Sequence, residues 1–353
     1  MEIGIPRALS FYNFYPFWHG FFTDLGIKIV LSDKTTKQTM SAGSSLVVSE
    51  TCLPVKVYVG HVLNLLEKGV DKIFSPSIQS IAPKIYNCSK IRGLPDLIRN
   101  VVKKDFTLIE ATLDKSEKKQ GLYEFLAEAV KPFGITDQKR IRQASKAGWR
   151  MLNNFRIMTH SGIPYKQALK YALEDKVIIS SQTKTYPISV AVIAHGYNLY
   201  DERVSMKIFE KLENLDVKAY TSEQLSQEKM QEGINSIDSK LYWANEYEIT
   251  GAAGHYIQNS KIDGIIAINA FGCGPDSLML ERISRFSKTQ NKPFLNLSID
   301  EHTGEAGFIT RIEAFVDMLY RKKRSQIVNK ISIDGSSEPM ENIVQRVKNS
   351  VEM

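Results

Sequence analysis

Three cysteines, Cys52, Cys88 and Cys273, are the residues of this chain best suited to chemistry. Thiolates bind zinc and iron-sulphur clusters, and they also act as nucleophiles. An odd number of cysteines spread over 353 residues does not form the disulfide framework of a secreted protein. No CxxC pair occurs, so a compact zinc ribbon is excluded. Two interpretations stay open: three separate buried thiols, or one metal or cluster site that they share.

The first unit that positions these residues reads as strand, helix, strand. The strand "MEIGIPRAL" precedes an aromatic helix and the strand "IKIVLSD", an order that favours parallel pairing. The helix carries apolar residues at helical spacing, which predicts a buried face: Phe11, Phe14, Tyr15, Trp18, Phe21, Phe22 and Leu25. A helix in "PVKVYVGHVLNLLEKG" and strands in "DKIFSP" and "DFTLIEA" complete an N-terminal α/β domain over residues 1–112.

Residues 113–185 predict a helical bridge, with Thr136 as the cap of one helix and Pro164 at the start of another. One face of the first helix carries a basic stripe: Lys139, Arg142, Lys146 and Arg150. Such a stripe is more typical of a solvated face than of a site for phosphates or a negatively charged partner.

After Pro187 the order strand, loop, helix, strand returns in "ISVAVIAHGYNLYDERVSMKIFEKLENLDVKAYTS", which suggests two related halves. A C-terminal α/β domain is predicted over residues 186–325, followed by a polar tail with a terminal helix over 326–353. The predicted fold class is therefore α/β, with two doubly wound parallel-sheet domains of Rossmann or flavodoxin type and a helical bridging region.

In parallel α/β sheets, ligands collect beyond the carboxyl ends of the strands, where loops lead into helices. All three cysteines fall at or near such loops, so thiols from two domains can converge on one site. Gly272 and Gly274, which flank Cys273, let the backbone approach a bulky inorganic group and donate amide hydrogen bonds to bound sulphides.

Other polar residues near strand ends are candidates for proton transfer or ligand orientation. After the strand "PFLNL", four side chains point toward the same crevice: Asp300, Glu301, His302 and Glu305. Asp, Thr and Gly are also ordinary turn residues, and Glu305 can simply stabilise a helix N-terminus. Glu50, Lys56 and Arg7 can reach a cluster or a phosphate, or they can form structural ion pairs. His195 is interpreted as a loop histidine with satisfied hydrogen bonds.

Composition limits the functional class. A hydrophobic content of 43% supports a globular chain of about two domains, and no apolar stretch approaches the roughly 20 residues of a membrane helix. The opening residues lack the pattern of a signal peptide, so a cytoplasmic protein is expected. The net charge of +7 is spread among interspersed acids, and no nucleic-acid motif is present. No GxxxxGK[ST] phosphate loop occurs, so ATP hydrolysis would depend on another protein.

The stretches "IGIPRAL", "SETCLPVKVYVGHV", "IFSPSI", "NAFGCGPDS" and "IDEHTGEAGFITRIEAF" resemble the 2-hydroxyacyl-CoA dehydratase superfamily, in its branch related to the CoA-substrate-specific enzyme activase. The resemblance implies a 4Fe-4S cluster held between the two α/β domains by Cys52, Cys88 and Cys273. It also implies an ATP-dependent activator as electron donor, a possible acyl-CoA or other small-molecule substrate, anaerobic chemistry and a dimer. One residue departs from the pattern, because Ser89 stands where the family usually has proline after the second cysteine.

Three functional hypotheses remain at this point. The chain is a dehydratase-like lyase or ATP-coupled reductase component, or it is a partner subunit that carries a cluster without turnover. Alternatively the same cysteines bind zinc, with His195 or His255 as a fourth ligand.

Overall fold

A computed structural model describes residues 1–116, 121–179, 184–237 and 240–333 of the chain. It has a mixed α/β architecture with two four-stranded parallel sheets and one three-stranded sheet, as the sequence predicted for the class. Among the helices of this described part, none combines the length and the apolar character needed to cross a membrane. The terminal helix that the sequence suggested for the tail lies, from residue 334 onward, outside the described residues.

The N-terminal half builds one parallel sheet and one smaller sheet. Its elements are, in chain order, β1 (Glu2–Ile5), α1 (Phe11–Asp24), β2 (Lys28–Leu31), α2 (Lys37–Ser44), α3 (Leu53–Glu67), β3 (Lys72–Phe74), β4 (Ser77–Ala82), β5 (Ile85–Tyr86), α4 (Ser89–Arg92), α5 (Leu94–Val101), β6 (Thr107–Ile109) and β7 (Thr112–Asp114). The parallel sheet has the order β2-β1-β3-β6. In the smaller sheet, β4 pairs with β5 antiparallel and with β7 parallel.

The loop predicted to carry Cys88 is therefore a β-hairpin followed by a short helix. The turn between β4 and β5 contains Pro83 and Lys84, and Lys84 adopts a left-handed conformation with φ of 60°. Proline and a left-handed residue close a tight turn, so the short strands on either side can pair. The hairpin fixes the position of Cys88, which the sequence had left in an open loop.

Helices fill the connection between the two halves. The elements are α6 (Leu122–Val130), a 3-10 turn (Lys131–Phe133), α7 (Gln138–His160) and α8 (Tyr165–Leu173). The cap of α7 is Asp137, whose carboxylate accepts from the Lys139 amide at 2.8 Å, so the prediction of Thr136 was wrong by one residue. An ionised carboxylate is the stronger partner for a helix N-terminus. All four members of the basic stripe on α7 are exposed, as expected for a solvated face.

The C-terminal half repeats the strand order of the first sheet. Its elements are β8 (Ile188–Ile193), α9 (Gly196–Leu199), α10 (Ile208–Asn214), β9 (Val217–Tyr220), α11 (Gln227–Ser236), α12 (Glu246–Gln258), β10 (Gly264–Ala270), α13 (Gly274–Thr289), β11 (Phe294–Ile299) and α14 (Glu305–Ile333). The sheet order is β11-β10-β8-β9, all parallel. If the four strands of each sheet are numbered 1 to 4 in chain order, both sheets have the spatial order 2-1-3-4, the second one when it is read from β9 to β11. The sequence did not indicate α11 and α12, and α14 is longer than the predicted helix.

Buried residues join the two halves into a continuous hydrophobic cluster. Its members include Val59 and Leu65 on α3 as well as Val190 on β8 and Ile268 on β10. A second cluster contains the aromatic face of α1, in which six of the seven predicted residues are buried and Phe14 is 36% exposed. Apolar burial on this scale is the main stabilising contribution to such a junction.

The contact between α2 and α3 requires glycine. A Cβ placed on Gly60 of α3 would lie 2.0 Å from the Thr39 carbonyl oxygen, and one on Gly43 of α2 would lie 1.9 Å from the Lys56 carbonyl oxygen. These distances are far inside van der Waals contact, so the two helices touch through their backbones. Because α3 begins next to Cys52, this contact also fixes one of the cysteines.

We expect Gly60→Ala to destabilise the protein by about 1–3 kcal/mol, the usual cost of overpacking a close contact. The measurement is the urea midpoint followed by circular dichroism. The matched control is Gly307→Ala on α14, where an added Cβ meets nothing within 4 Å. Removing a helical glycine there should leave stability unchanged or raise it by about 0.5–1 kcal/mol. Equal midpoints for the two variants would contradict the backbone contact.

Candidate functional site

The fold brings the three cysteines to one cavity between the halves. Its lining residues are Leu9, Cys52, Pro54, Val55, Cys88, Ile91, Tyr197, Asn245, Ala270, Cys273, Pro275 and Asp276. Leu9 follows β1, Tyr197 follows β8 and Cys273 follows β10. In each sheet the switch point lies between the first and third strands, which are β1 and β3 in one half and β8 and β10 in the other. The cavity therefore lies where an α/β fold of this kind usually binds its ligand.

Each cysteine is the N-cap residue of a helix. Cys52 precedes α3, Cys88 precedes α4 and Cys273 precedes α13, all with extended backbone conformations. None of the three thiols meets the geometry of a capping hydrogen bond, although the Val55 and Asp276 amides lie close enough to oppose the rise that burial causes in the pKa of Cys52 and of Cys273 respectively. Proline in the first turn of α3 and of α13 fixes the local backbone for helix entry. The 15-residue α3 and the 16-residue α13 direct the positive ends of their dipoles toward the cavity.

Burial controls the protonation of the thiols. Loss of solvent raises the pKa of Cys52 and of Cys273, and the nearby Asp276 carboxylate raises the pKa of Cys273 further. Without a bound cation the Cys52 and Cys273 thiols are therefore protonated at neutral pH. The space between the lining residues measures about 20 Å³, enough for one water molecule. Within the described ranges, no three Cys, His, Asp or Glu side chains are placed to hold a single metal ion.

Lys90 forms hydrogen bonds to the loops that carry Cys52 and Cys273. Its Nζ donates to the Glu50 carbonyl oxygen at 2.9 Å and to the Gly272 carbonyl oxygen at 3.3 Å. Gly272 has φ of 76°, and a Cβ there would lie 3.2 Å from the same Glu50 oxygen. The ammonium also opposes the rise in the pKa of Cys52. Lys90 was not predicted, although it lies only two residues after Cys88.

A buried ion pair lies beside the cavity. His195 Nε2 is 2.9 Å from Asp276 Oδ1, and both residues are 3% exposed. His195 Nδ1 is 3.9 Å from Glu248 Oε2. Burial disfavours the imidazolium, but the carboxylates of Asp276 and Glu248 outweigh it and raise the pKa of His195 to about 10. The loop histidine therefore has polar partners, as expected, and it is a cation held between two acids.

Asp276 was missed by sequence reasoning, although its position offered a usable pattern. It stands three residues after Cys273, in the first turn of α13, where acids are favoured by the helix dipole. Tyr197 and Asn245 also line the cavity and had no distinguishing pattern in the sequence. Their positions depend on how the two halves pack.

The four polar residues predicted after β11 line a second, larger cavity of about 960 Å³ rather than the cysteine cavity. Asp300 Oδ1 accepts from the His302 amide at 2.9 Å and from Thr303 Oγ1 at 2.7 Å, so its carboxylate closes a turn. His302 is exposed. Glu305 begins α14 and pairs with Lys211 at 2.7 Å. For Asp300 and Glu305 the structural interpretation therefore accounts for the contacts observed.

Glu301 makes the strongest contact of this group. It pairs with the buried Lys56 Nζ at 2.5 Å, and Lys56 also donates to the Ser49 carbonyl oxygen at 2.9 Å. The ion pair joins α3 of one half to the loop after β11 of the other. Glu50, by contrast, is exposed, and its side chain does not line the cysteine cavity.

The remaining predicted residues lie around the two cavities in different ways. Gly274 is the first residue of α13, and no atom lies within 4 Å of the position where its Cβ would be. Arg7 lines the larger cavity and donates from Nε to the Ser32 carbonyl oxygen at 2.6 Å. His255 lies on α12 near Lys229 and Glu232 and does not line the cysteine cavity.

The His195 ion pair predicts a pH dependence of stability. Because the folded pKa is raised above the unfolded value of about 6.5, the imidazolium stabilises the protein fully below about pH 6.5. This stabilisation is lost as pH rises toward about 10, at a rate on the order of 1 kcal/mol per pH unit. The unfolding free energies of the wild type and of His195→Gln, measured by urea titration, should therefore approach each other as the pH rises.

The control for this titration is His302→Gln, which removes an exposed histidine. Because this side chain is exposed, its loss should leave the unfolding free energy close to that of the wild type. A constant gap between the wild type and His195→Gln across the same range would show that the histidine is neutral.

Comparison with known protein families adds one finding. The family model described as "CoA enzyme activase uncharacterised domain" matches residues 2–225, which include Cys52, Cys88 and His195 but not Cys273. A comparison with curated proteins gives no match. The match covers more than half of the 353 residues and the whole first sheet. The chain therefore belongs to the family of the CoA enzyme activase uncharacterised domain.

Proposed function

We propose that the chain is an iron-sulphur protein of the 2-hydroxyacyl-CoA dehydratase superfamily, with two doubly wound domains that hold a 4Fe-4S cluster through Cys52, Cys88 and Cys273. The observation that carries the proposal is that all three cysteines, from two halves of the chain, line one cavity. They are separated by up to 221 residues (273 − 52) in sequence. Three unrelated thiols have no reason to share one cavity.

The donor set suits a cluster better than a single ion. Sulphurs around one zinc ion lie about 3.8 Å apart, as follows from the Zn–S length of about 2.3 Å. The described side chains include no group placed that closely, which weighs against the zinc alternative. A cubane is wider than one ion, so it accepts ligands that stand further apart. The cavity is small, so its walls would have to separate to admit a cubane held by the three cysteines.

The surroundings favour a negatively charged group. The N-termini of α3 and α13, the Lys90 ammonium and the His195 imidazolium all stabilise negative charge at the cavity. Since burial raises the pKa of Cys52 and Cys273, binding must release protons from the thiols. Assembly is therefore expected to be favoured by higher pH.

Three thiolates leave one iron without a protein ligand. When bound, such a cluster would supply an open iron site and one low-potential electron for reductive or dehydration chemistry. Asp276 would stand beside Cys273, and His195 would hold that carboxylate in place. Tyr197, whose hydroxyl pKa is raised by burial, would close the cavity against water.

The larger cavity is the substrate site in this proposal. It adjoins the cysteine site through Leu53, which follows Cys52, and its volume of about 960 Å³ suits a ligand larger than a typical drug. Its lining includes six cations: Arg7, Lys34, Lys37, Lys166, Arg203 and Lys207. Five acids line the same cavity, namely Asp201, Glu202, Asp300, Glu301 and Glu305, and Glu202 pairs with Lys34 and Lys166. The guanidinium groups of Arg7 and Arg203 would favour a phosphate-bearing small molecule such as an acyl-CoA. Glu301, which pairs with the buried Lys56, also lines this cavity.

The electron donor in this proposal is an ATP-dependent activator protein, and the working assembly is a dimer. The chain has no phosphate loop of its own, so ATP hydrolysis falls to the partner. The family description associates this domain with CoA enzyme activases, which supports such a partnership. A subunit that only carries the cluster would bind the same partner without turnover.

The first test is the metal content of protein purified without oxygen. We expect a brown protein with about four iron atoms and about four acid-labile sulphides per chain. Cys52→Ser, Cys88→Ser and Cys273→Ser should each lose most of the iron. Ser277→Ala, one turn after Cys273 on the exposed side of α13, is the matched control and should retain it. A colourless protein, or iron unaffected by the three serine variants, would refute the proposal.

The second test concerns the partner and turnover. Mixing the brown protein with an activator, ATP and a reductant should bleach its visible absorbance, and omission of ATP should prevent the bleaching. Loss of water from 2-hydroxyacyl-CoA compounds, followed by mass spectrometry, would then support the lyase. Bleaching without product across a broad panel would favour the cluster-carrying subunit. No bleaching at all would exclude the activator as donor.

A further inference from the structure

A chain of polar side chains leads from the cysteine cavity to a separate cavity at the protein surface. Asp276 and His195 are 2.9 Å apart, and Glu248 follows 3.9 Å from the other ring nitrogen of His195. Ser222 Oγ lies 2.8 Å from Glu248 Oε1 and 3.2 Å from Glu223 Oε2. The Tyr200 hydroxyl then donates to Glu223 at 2.6 Å.

The outer end of this chain is open to water. Glu223, Glu248 and Ser222 line a cavity of about 240 Å³ together with Arg156, His160 and Phe14. Phe14 is 36% exposed, which places this cavity at the surface. Protons from solvent can therefore reach the two carboxylates without crossing the cysteine cavity.

The geometry around Ser222 suits a carboxylate pair that binds one proton. One hydroxyl has a single hydrogen, so Ser222 cannot donate to both carboxylates at once. If either glutamate is protonated, it donates to Ser222 Oγ while Ser222 donates to the other, and both contacts become hydrogen bonds. Within the described part of the chain, neither glutamate has a Lys or Arg side chain at ion-pair distance. Burial, followed by the neighbouring Glu248, raises the pKa of Glu223 to about 7.

Several other titratable and charged groups face this pair. They are His195, Asp276, Tyr12, Arg156, His160, Tyr165, Tyr200, Glu210, Lys218, Tyr247 and Tyr256. The tyrosines keep their protons, because burial raises the pKa of Tyr165, Tyr200 and Tyr256. His195 keeps its proton between two acids, and burial lowers the pKa of His160, which is therefore neutral at pH 7. The glutamate pair remains as the group that changes charge near neutrality.

We propose that Glu223 and Glu248 together take up one proton from the surface cavity when the centre held by the three cysteines gains one electron. The inference rests on the proposed function, because it requires an electron acceptor at the cysteines. A low-potential donor protein supplies the electron and solvent supplies the proton. One O–H bond forms on a carboxylate, no other bond changes, and both particles leave on reoxidation.

His195 links the two events without changing its own protonation. Negative charge added at the cysteines strengthens the electrostatic attraction between that site and the buried His195 imidazolium. The other ring nitrogen of His195 faces Glu248. The same negative charge raises the pKa of nearby acids. A proton bound by the glutamates then compensates the negative charge added at the cysteines. The reduced state is thereby stabilised.

The experiment is an optical redox titration of the reconstituted protein from about pH 6 to about pH 8, where the pair titrates. Below about pH 7 the oxidised protein already holds the proton, so the midpoint potential should level off there. Above about pH 7, full coupling of one proton to one electron lowers the midpoint potential by about 59 mV per pH unit. Glu223→Gln and Glu248→Gln should each reduce this slope at least twofold, because an amide cannot take up the proton. Glu228→Gln, an exposed acid at the start of α11, is the control and should keep the wild-type slope.

The possible outcomes separate this inference from the proposed function. A centre that assembles with a pH-independent potential overturns the proton uptake and leaves the iron-sulphur proposal intact. A slope that both glutamine variants retain, with unchanged circular dichroism, also overturns it. If no centre assembles in the wild type, both the proposed function and this inference fail.

Discussion

Parallel strand pairing is the constraint on which the rest of this structure depends. Parallel strands place all their carboxyl ends on one edge of a sheet, and here two sheets of the same strand order turn these edges toward one cavity. Loops after β1, β8 and β10 therefore meet, although they lie far apart in sequence. The helix α3, fixed by its backbone contact with α2, adds Cys52 to the same place.

Electrostatic balance is the second requirement of this junction. Acids such as Asp276 and Glu301 are placed between two halves with little access to water, and each is matched by a cation. His195 lies 2.9 Å from Asp276, and Lys56 lies 2.5 Å from Glu301. Removing one partner of such a pair leaves an uncompensated buried charge, which costs more than the pair contributes. The pairs therefore fix how the halves fit together.

Much of the architecture could be predicted from the sequence because its patterns are local. The aromatic face of α1 follows helical spacing, and β1, β8 and β10 are short apolar runs between turn residues. The hairpin before Cys88 and the helices α11 and α12 were missed. Strand β5 has only two residues and is too short to show alternation, and the small residues of α12 suit a close helix contact rather than an apolar stripe.

The sequence by itself determined the α/β class, the alternation of strands and helices in each half, and the choice of three cysteines as the residues of interest. Only the tertiary structure decided that their thiols share a cavity, that Asp276 and Lys90 lie beside them, and that Asp300, Glu301, His302 and Glu305 line a different cavity. The physical reason is that side-chain chemistry and periodicity depend on residues that are close together in the sequence. Which loops meet depends on how two sheets pack, and that packing is a sum of many weak contacts between residues distant in sequence.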